Sequence, residues 1–209
     1  SAYAIPQEFD EAACAIIKHA NPCGFGLGEN IKEAYKRAVS TDPVSYFGGI
    51  VGFNQEVDTE TAQALVQPFL ECIIAPSFSK KASEILKKKK NLRVISVSAD
   101  YAEDSMYIKS VAGGYLYQQK DSLYGGINNL KIVTERQPTD NEYTSMDLGW
   151  KLVRQVKSNA IVLADNIQLL GIGAGMATII SMWFMLQADI ADAKELPEPL
   201  PPDVTRMEF

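Results

Sequence analysis

The sequence predicts an α/β domain on a mainly parallel or mixed sheet. Short apolar runs rich in β-branched residues recur along the chain. Most are followed by a segment with the 3.6-residue apolar period of a helix. Proline, glycine or an N-capping side chain marks nearly every junction between them. With 209 residues, 46% of them hydrophobic and 22% charged, such a chain can bury a core without disulfides or metal.

Residues 14–18 are a short buried strand that stops at Lys18 and His19. Asn21-Pro22-Cys23-Gly24 is turn-forming, and 24–28 reads as a glycine-rich loop. Asn30 caps a helix in which Ile31, Ala34, Tyr35, Ala38 and Val39 form one apolar stripe. Asp42-Pro43 ends it, because a residue before proline avoids helical backbone. Residues 49–53 are the second strand. Asp58 caps a helix over 59–66 that Pro68 limits. Residues 71–75 are the third strand, stopped by Pro76, and Ser79 opens a helix reaching 89. Residues 92–97 are the fourth strand; 98–112 are irregular; 113–119 and 129–134 are strands. Thr139-Asp140-Asn141-Glu142 is a capping box that starts a helix reaching 156. Strands over 160–164 and 168–172 flank a turn at Asp165-Asn166. Gly173-Ala174-Gly175 then leads into a helix over 176–194. The β-α-β pattern restarts near 139, which divides the chain into a complete lobe, 1–138, the start of a second, 139–195, and an extended proline-rich tail, 196–209.

Charge and cysteine usage exclude several classes. A net charge of −6 does not suit a nucleic-acid partner. Four consecutive lysines at 87–90 are the exception and read as a solvated helix end. Three cysteines make no disulfide framework and point to a reducing, cytoplasmic setting. Residues 1–10 do not resemble a signal peptide, and the apolar stretch 176–186 is too short to span a membrane. His19 and Cys23 are spaced for zinc, but a second Cys and a His-x-Glu are missing, so no metal is expected. Gly171-Ile172-Gly173-Ala174-Gly175-Met176 lacks the last glycine of a dinucleotide fingerprint and reads equally as a tight turn or an anion contact.

Lys18-His19 is the pair of chemical interest. It ends a strand, where open α/β sheets place ligands, and a loop-like Asn-Pro-Cys-Gly follows. On a straight strand the two side chains face opposite ways, and a break at Ala20-Asn21 would bring both toward one cavity. A lone histidine and a strand-end lysine also have ordinary structural uses.

Seven ordered blocks carry a resemblance. Lys18-His19-Ala20-Asn21-Pro22-Cys23-Gly24 resembles the Lys-His motif of the AICAR transformylase region of the AICAR transformylase/IMP cyclohydrolase family. Asp42-Pro43-Val44-Ser45-Tyr46-Phe47-Gly48-Gly49-Ile50 is similar to its D-P-x-S-A-F-G-G-I, with Tyr46 for alanine. Glu71-Cys72-Ile73-Ile74-Ala75-Pro76, Lys89-Lys90-Asn91-Leu92-Arg93 and Gly113-Gly114-Tyr115-Leu116-Tyr117-Gln118 resemble three further blocks. Lys157-Ser158-Asn159-Ala160-Ile161-Val162 and the glycines 171–175 resemble the last two.

The resemblance implies cytidine-deaminase-like three-layer α/β lobes with a mixed sheet and no zinc. It implies formyl transfer from 10-formyltetrahydrofolate, a co-substrate, to the 5-amino group of AICAR, giving FAICAR in a homodimer with a shared active site. His19 then matches the base, Lys18 the cation and proton source, and Asn159 a residue that orients the formyl oxygen or substrate amide. Gly48, Glu71 and Asn21 match substrate-binding positions. The IMP cyclohydrolase domain is not expected in these residues. Met176 and Ile179 stand where the family has glutamine and arginine, so the alternative is a non-catalytic nucleotide-binding module that keeps the fold without the full substrate site.

Overall fold

The computed structural model describes residues 1–97, 106–119, 127 and 130–174. Strand β1 (Ala12–Lys18) turns back directly into β2 (Asn21–Gly28). Helix α1 (Ile31–Thr41) leads to β3 (Ile50–Phe53), α2 (Thr59–Leu65) to β4 (Cys72–Ala75), and α3 (Lys80–Leu86) to β5 (Arg93–Ser96). These strands form one sheet of order β2-β1-β3-β4-β5. β1 is antiparallel to β2 and β3, whereas β3, β4 and β5 are parallel, so the α/β class and the mixed sheet are as expected. A ribbon of β6 (Met106–Val111) and β7 (Gly114–Gln119), helix α4 (Asp140–Val153), and a hairpin of β8 (Ala160–Ala164) and β9 (Leu169–Ala174) follow.

Local chemistry sets the helix starts. Asn30, Asp58 and Ser79 each accept a backbone N–H three residues on, and Thr139 and Glu142 form the reciprocal capping box. Each such cap stabilises its helix by about 1 kcal/mol. The stripe Ile31, Ala34, Tyr35 and Ala38 is buried, with Val39 packed at its margin.

β1 is an interior strand, buried on both faces. Ala12, Cys14 and Ile16 pack with α1, α2 and α3. Ala13, Ala15 and Ile17 pack with Ile5, Phe25 and Leu27, with Leu148 and Leu152 of α4, and with Leu169 of β9. The period of two therefore yields a continuous apolar run rather than alternation. The β8–β9 hairpin joins the sheet edge at β2, where Leu27 N–H donates to the Ile167 carbonyl at 2.7 Å.

Five expectations need correction. Residues 24–28 belong to strand β2, not to a loop. Their glycines serve helix packing: a Cβ at Gly24 would lie 2.0 Å from the Ala38 carbonyl oxygen, one at Gly26 2.7 Å from that of Ala34, and one at Gly28 2.7 Å from the Ala34 nitrogen. Only hydrogen fits between the strand and the α1 backbone. The turn correspondingly moves from 21–24 to His19 and Ala20, with φ of +50° and +66° and Lys18 paired to Asn21. That is the backbone pattern of a two-residue primed hairpin turn. Residues 106–111 within the supposedly irregular stretch form β6, whose side chains are mostly exposed on both faces and so show no alternation. No strand occurs over 130–134; apolar side chains there line a groove beside α4 instead. Gly173 and Ala174 belong to β9, and the predicted helix 176–194 and tail 196–209 lie outside the described residues. Among the described residues no helix is long and apolar enough to cross a membrane.

Candidate functional site

The short turn fixes where the Lys18-His19 pair goes. Because β1 returns immediately as β2, it runs against β3, and Ile17 pairs with Ile50, the first residue of β3. Lys18 therefore ends β1 at the N-terminal edge of the parallel strands. The rule that ligands sit at their C-terminal edge does not account for its position, since strand direction was not legible from the apolar run. The breaks before β3 and β4 reach the same edge, bringing residues 42–49 and 66–71 beside the hairpin tip.

Asp42 organises the first of these breaks. Its Oδ1 accepts the Val44 and Ser45 N–H groups at 3.0 and 2.7 Å. Burial alone would raise its pKa, but the hydrogen bonds from Ser45 and Val44 hold it below the usual carboxylate range. The turn delivers the Phe47 carbonyl to Lys18, whose Nζ donates to it at 2.5 Å. Gly48 follows with φ +66°, and its N–H donates to the Phe69 carbonyl at 2.8 Å. A Cβ on Gly48 would stand 3.0 Å from Lys18 Nζ and 3.4 Å from Phe69 Cε1. The Phe47 and Phe69 rings lie 5.4 Å apart and remain partly exposed beside the ammonium. Among the described residues, Lys18 thus spends one of its three N–H donors on the fold and keeps two.

On the other side of the tip, Asn21 Oδ1 accepts the Lys157 N–H at 3.0 Å. Ser158 Oγ donates to Asn159 Oδ1 at 2.8 Å, and the Ser158–Asn159 peptide is cis. One side-chain bond therefore ties the hairpin carrying His19 to the segment that leads to Asn159, 136 residues away in sequence. Lys18, His19, Asn21, Gly48 and Asn159 converge on one edge. His19 is exposed at its tip. Glu71 reaches the same edge one strand further on, where its backbone N–H donates to the Gly49 carbonyl at 3.1 Å. Its carboxylate, however, pairs with Arg93 at 2.8 Å.

Cys23, at the bulge of β2, lies under the pair. Burial, with Asp42 adding and Lys18 opposing, pushes its thiol up to about 11, so it is neutral and a poor nucleophile near pH 7. Among the described residues no group of three or more His, Cys, Asp or Glu could hold a metal ion. The sequence reading missed Phe69, Lys157 and the role of Asp42. The first two meet the site only through long-range contacts; the third could have been read from Asp42-Pro43-Val44-Ser45 as a turn-forming side chain.

The AICARFT/IMPCHase bienzyme family model matches residues 1–183. Proteins named bifunctional purine biosynthesis protein PurH from Bacillus thuringiensis (strain Al Hakam), Bacillus cereus (strain G9842) and Bacillus anthracis (strain A0248) are each 49% identical over 176 residues. The match covers 84% of this chain and 34% of each relative, so the chain spans about a third of the length of the curated relatives it matches. A solved structure of Acinetobacter baumannii RibD, form 1, superposes with a TM-score of 0.35 at 17% identity, over 40% of this chain and 28% of that one, a likeness too slight to bear on function.

Proposed function

Because this chain belongs to the AICARFT/IMPCHase bienzyme family, we propose that it serves purine biosynthesis as the part of a formyltransferase that bears the catalytic pair. The reaction moves a formyl group from 10-formyltetrahydrofolate to the 5-amino group of AICAR, giving FAICAR. That amine is a weak nucleophile, because its lone pair is delocalised into the imidazole-carboxamide system. His19 takes its proton as the new C–N bond forms. The formyl oxygen becomes an oxyanion, and the ammonium of Lys18 stabilises it. When the bond from carbon to folate N10 breaks, Lys18 gives N10 a proton, and solvent returns the proton from His19 to Lys18. Positioned acid–base catalysis contributes about 10²–10⁴ in rate and an oxyanion donor about 10²–10³. Asn159 orients the formyl oxygen or the carboxamide. Gly48 and Glu71 contact the nucleotide, and Asn21 acts through its bond to Lys157.

The observation that carries this reading is the Asn21–Lys157 hydrogen bond, which draws Asn159 to the hairpin of Lys18 and His19. Apolar clusters on both faces of the five-stranded sheet, one of them including Leu148, Leu152 and Leu169, support a three-layer, cytidine-deaminase-like lobe. The exposed Tyr107, Ile108, Tyr115 and Tyr117 on the β6–β7 ribbon support a homodimer, whose active site the family resemblance makes shared. Three free, buried cysteines suit the cytoplasm.

The test is formyl transfer to AICAR by the full chain and by Lys18→Ala and His19→Ala. Loss of activity in both variants is expected. AICAR binding by the unmodified chain without turnover would overturn the proposal in favour of a nucleotide-binding module.

A further inference from the structure

The same strand edge continues past Glu71 to the break before β5. There Leu65, Pro68, Phe69, Lys89, Lys90 and Asn91 line a cavity of about 380 Å³ between the C-terminal ends of α2 and α3. Phe69 is shared: its ring also lies against Gly48, next to Lys18 Nζ. The cavity is thus continuous with the proposed catalytic edge through one side chain.

Lysines at a helix end ordinarily complement the dipole and the orphan carbonyls of the last turn. Here that need is already met. In α3 the Ser83, Ile85 and Leu86 carbonyls accept the N–H groups of Lys87, Lys88 and Lys89. In α2 the Ala62 and Ala64 carbonyls accept those of Val66 and Gln67, and the Gln67 side chain serves Gln63. Lys89 and Lys90 lie beyond the last turn of α3, on the cavity wall, and are in no ion pair among the described residues. Four adjacent lysines repel one another, and in a chain of net charge −6 they concentrate positive charge in one place.

We propose that this cavity holds the anionic end of a substrate of the Lys18 site, and that this end is the glutamate-derived carboxylate tail of the folate co-substrate. The proposal rests on the formyl-transfer reading. The reacting N10 of the folate is separated from its glutamate by a single benzoyl ring, so one end of the molecule can sit at Lys18 while the other passes Phe69 to the lysines. The phosphate of AICAR is the other source of negative charge in that reaction, and the experiment separates the two.

KM values are measured with the full chain and with a Lys89→Gln/Lys90→Gln double variant. The substrates are AICAR and 10-formyltetrahydrofolate carrying either one glutamate or several γ-linked glutamates. The folate KM should rise roughly three- to tenfold in the variant, the scale of two exposed charge pairs, and more for the longer tail. The difference should shrink with added salt, while kcat and the AICAR KM stay unchanged. A rise in the AICAR KM alone would overturn the carboxylate assignment in favour of phosphate, and no change in either KM would overturn the proposal while leaving formyl transfer intact. If the unmodified chain does not turn over, the functional reading fails separately. Calorimetric binding of the oligoglutamyl folate then decides the cavity: weakening in the variant supports it, and equal or absent binding refutes it.

Discussion

Gly48→Ala separates backbone strain from the placement of Lys18. Gly48 has φ +66°, a conformation that disfavours a side chain by about 1–2 kcal/mol. For a domain of this size that lowers Tm by roughly 2–8 °C. The added methyl would also stand 3.0 Å from Lys18 Nζ, so the ammonium must retreat by a few tenths of an ångström. Retreat is easy for a flexible chain end, but it strains the 2.5 Å bond to the Phe47 carbonyl and re-aims the two remaining donors. Since a 1 Å misplacement can cost about 10²-fold, a loss of roughly tenfold in kcat is expected. Gly113→Ala is the matched control: φ is +82° and nothing lies within 4 Å of the added methyl. It should lower Tm comparably and leave kcat alone. Thermal melts and formyl-transfer rates on both variants make the comparison. Full activity in Gly48→Ala at a reduced Tm would refute the claim that the position of Lys18 governs the reaction.

Three further outcomes follow from the same geometry. His19→Gly relieves about 1–2 kcal/mol of left-handed strain against about 0.4–1 gained by the unfolded chain, so Tm should hold or rise slightly while transfer falls at least about 10²-fold; a clear drop in Tm would contradict the turn assignment. Asn21→Ala leaves the Lys157 N–H without its acceptor, which should cost about 1 kcal/mol in denaturant melts and lower kcat without shifting the pH profile; unchanged kcat would separate Asn159 from the pair. Glu142, held at about 2 by Arg136 and by the Thr139 amide and hydroxyl, binds its proton more weakly folded than at its ordinary 4.5. The stability it lends α4 is therefore full above pH 4.5 and lost as pH falls toward 2, and Glu142→Gln should flatten that window in melts followed by circular dichroism.

What was legible in the sequence acts over a few residues. The caps at Asn30, Asp58, Ser79 and Thr139 each work within three positions, and each helix begins where its cap predicts. What was not legible depends on a distant partner. Gly24, Gly26 and Gly28 look like a flexible loop until α1 is laid across them; their strict alternation was the available signal for a strand face. β6 escaped because both its faces are largely exposed, leaving no apolar period to find. In the site, the adjacency of Lys18 and His19 is a fact of sequence, but the Phe69 wall, the Asn21–Lys157 tie and the Arg93 partner of Glu71 all arise from folding.

The placement of the pair on a two-residue turn has a mechanical logic. β1 is buried on both faces up to Ile17, and a two-residue turn at His19 and Ala20 holds His19 directly at the end of that buried strand. A general base needs such fixed aim. Aim alone is not sufficient, because His19 is exposed and an imidazole in open water lacks the low-dielectric surroundings that strengthen charge stabilisation. Something must therefore cover the tip during the reaction. Phe47 and Phe69, 59% and 43% exposed beside the Lys18 ammonium, present an apolar floor where that cover can exclude water. Under the proposed formyl transfer, a folate ring system laid on those two rings would supply the cover itself, so that co-substrate binding would exclude water from Lys18 and His19.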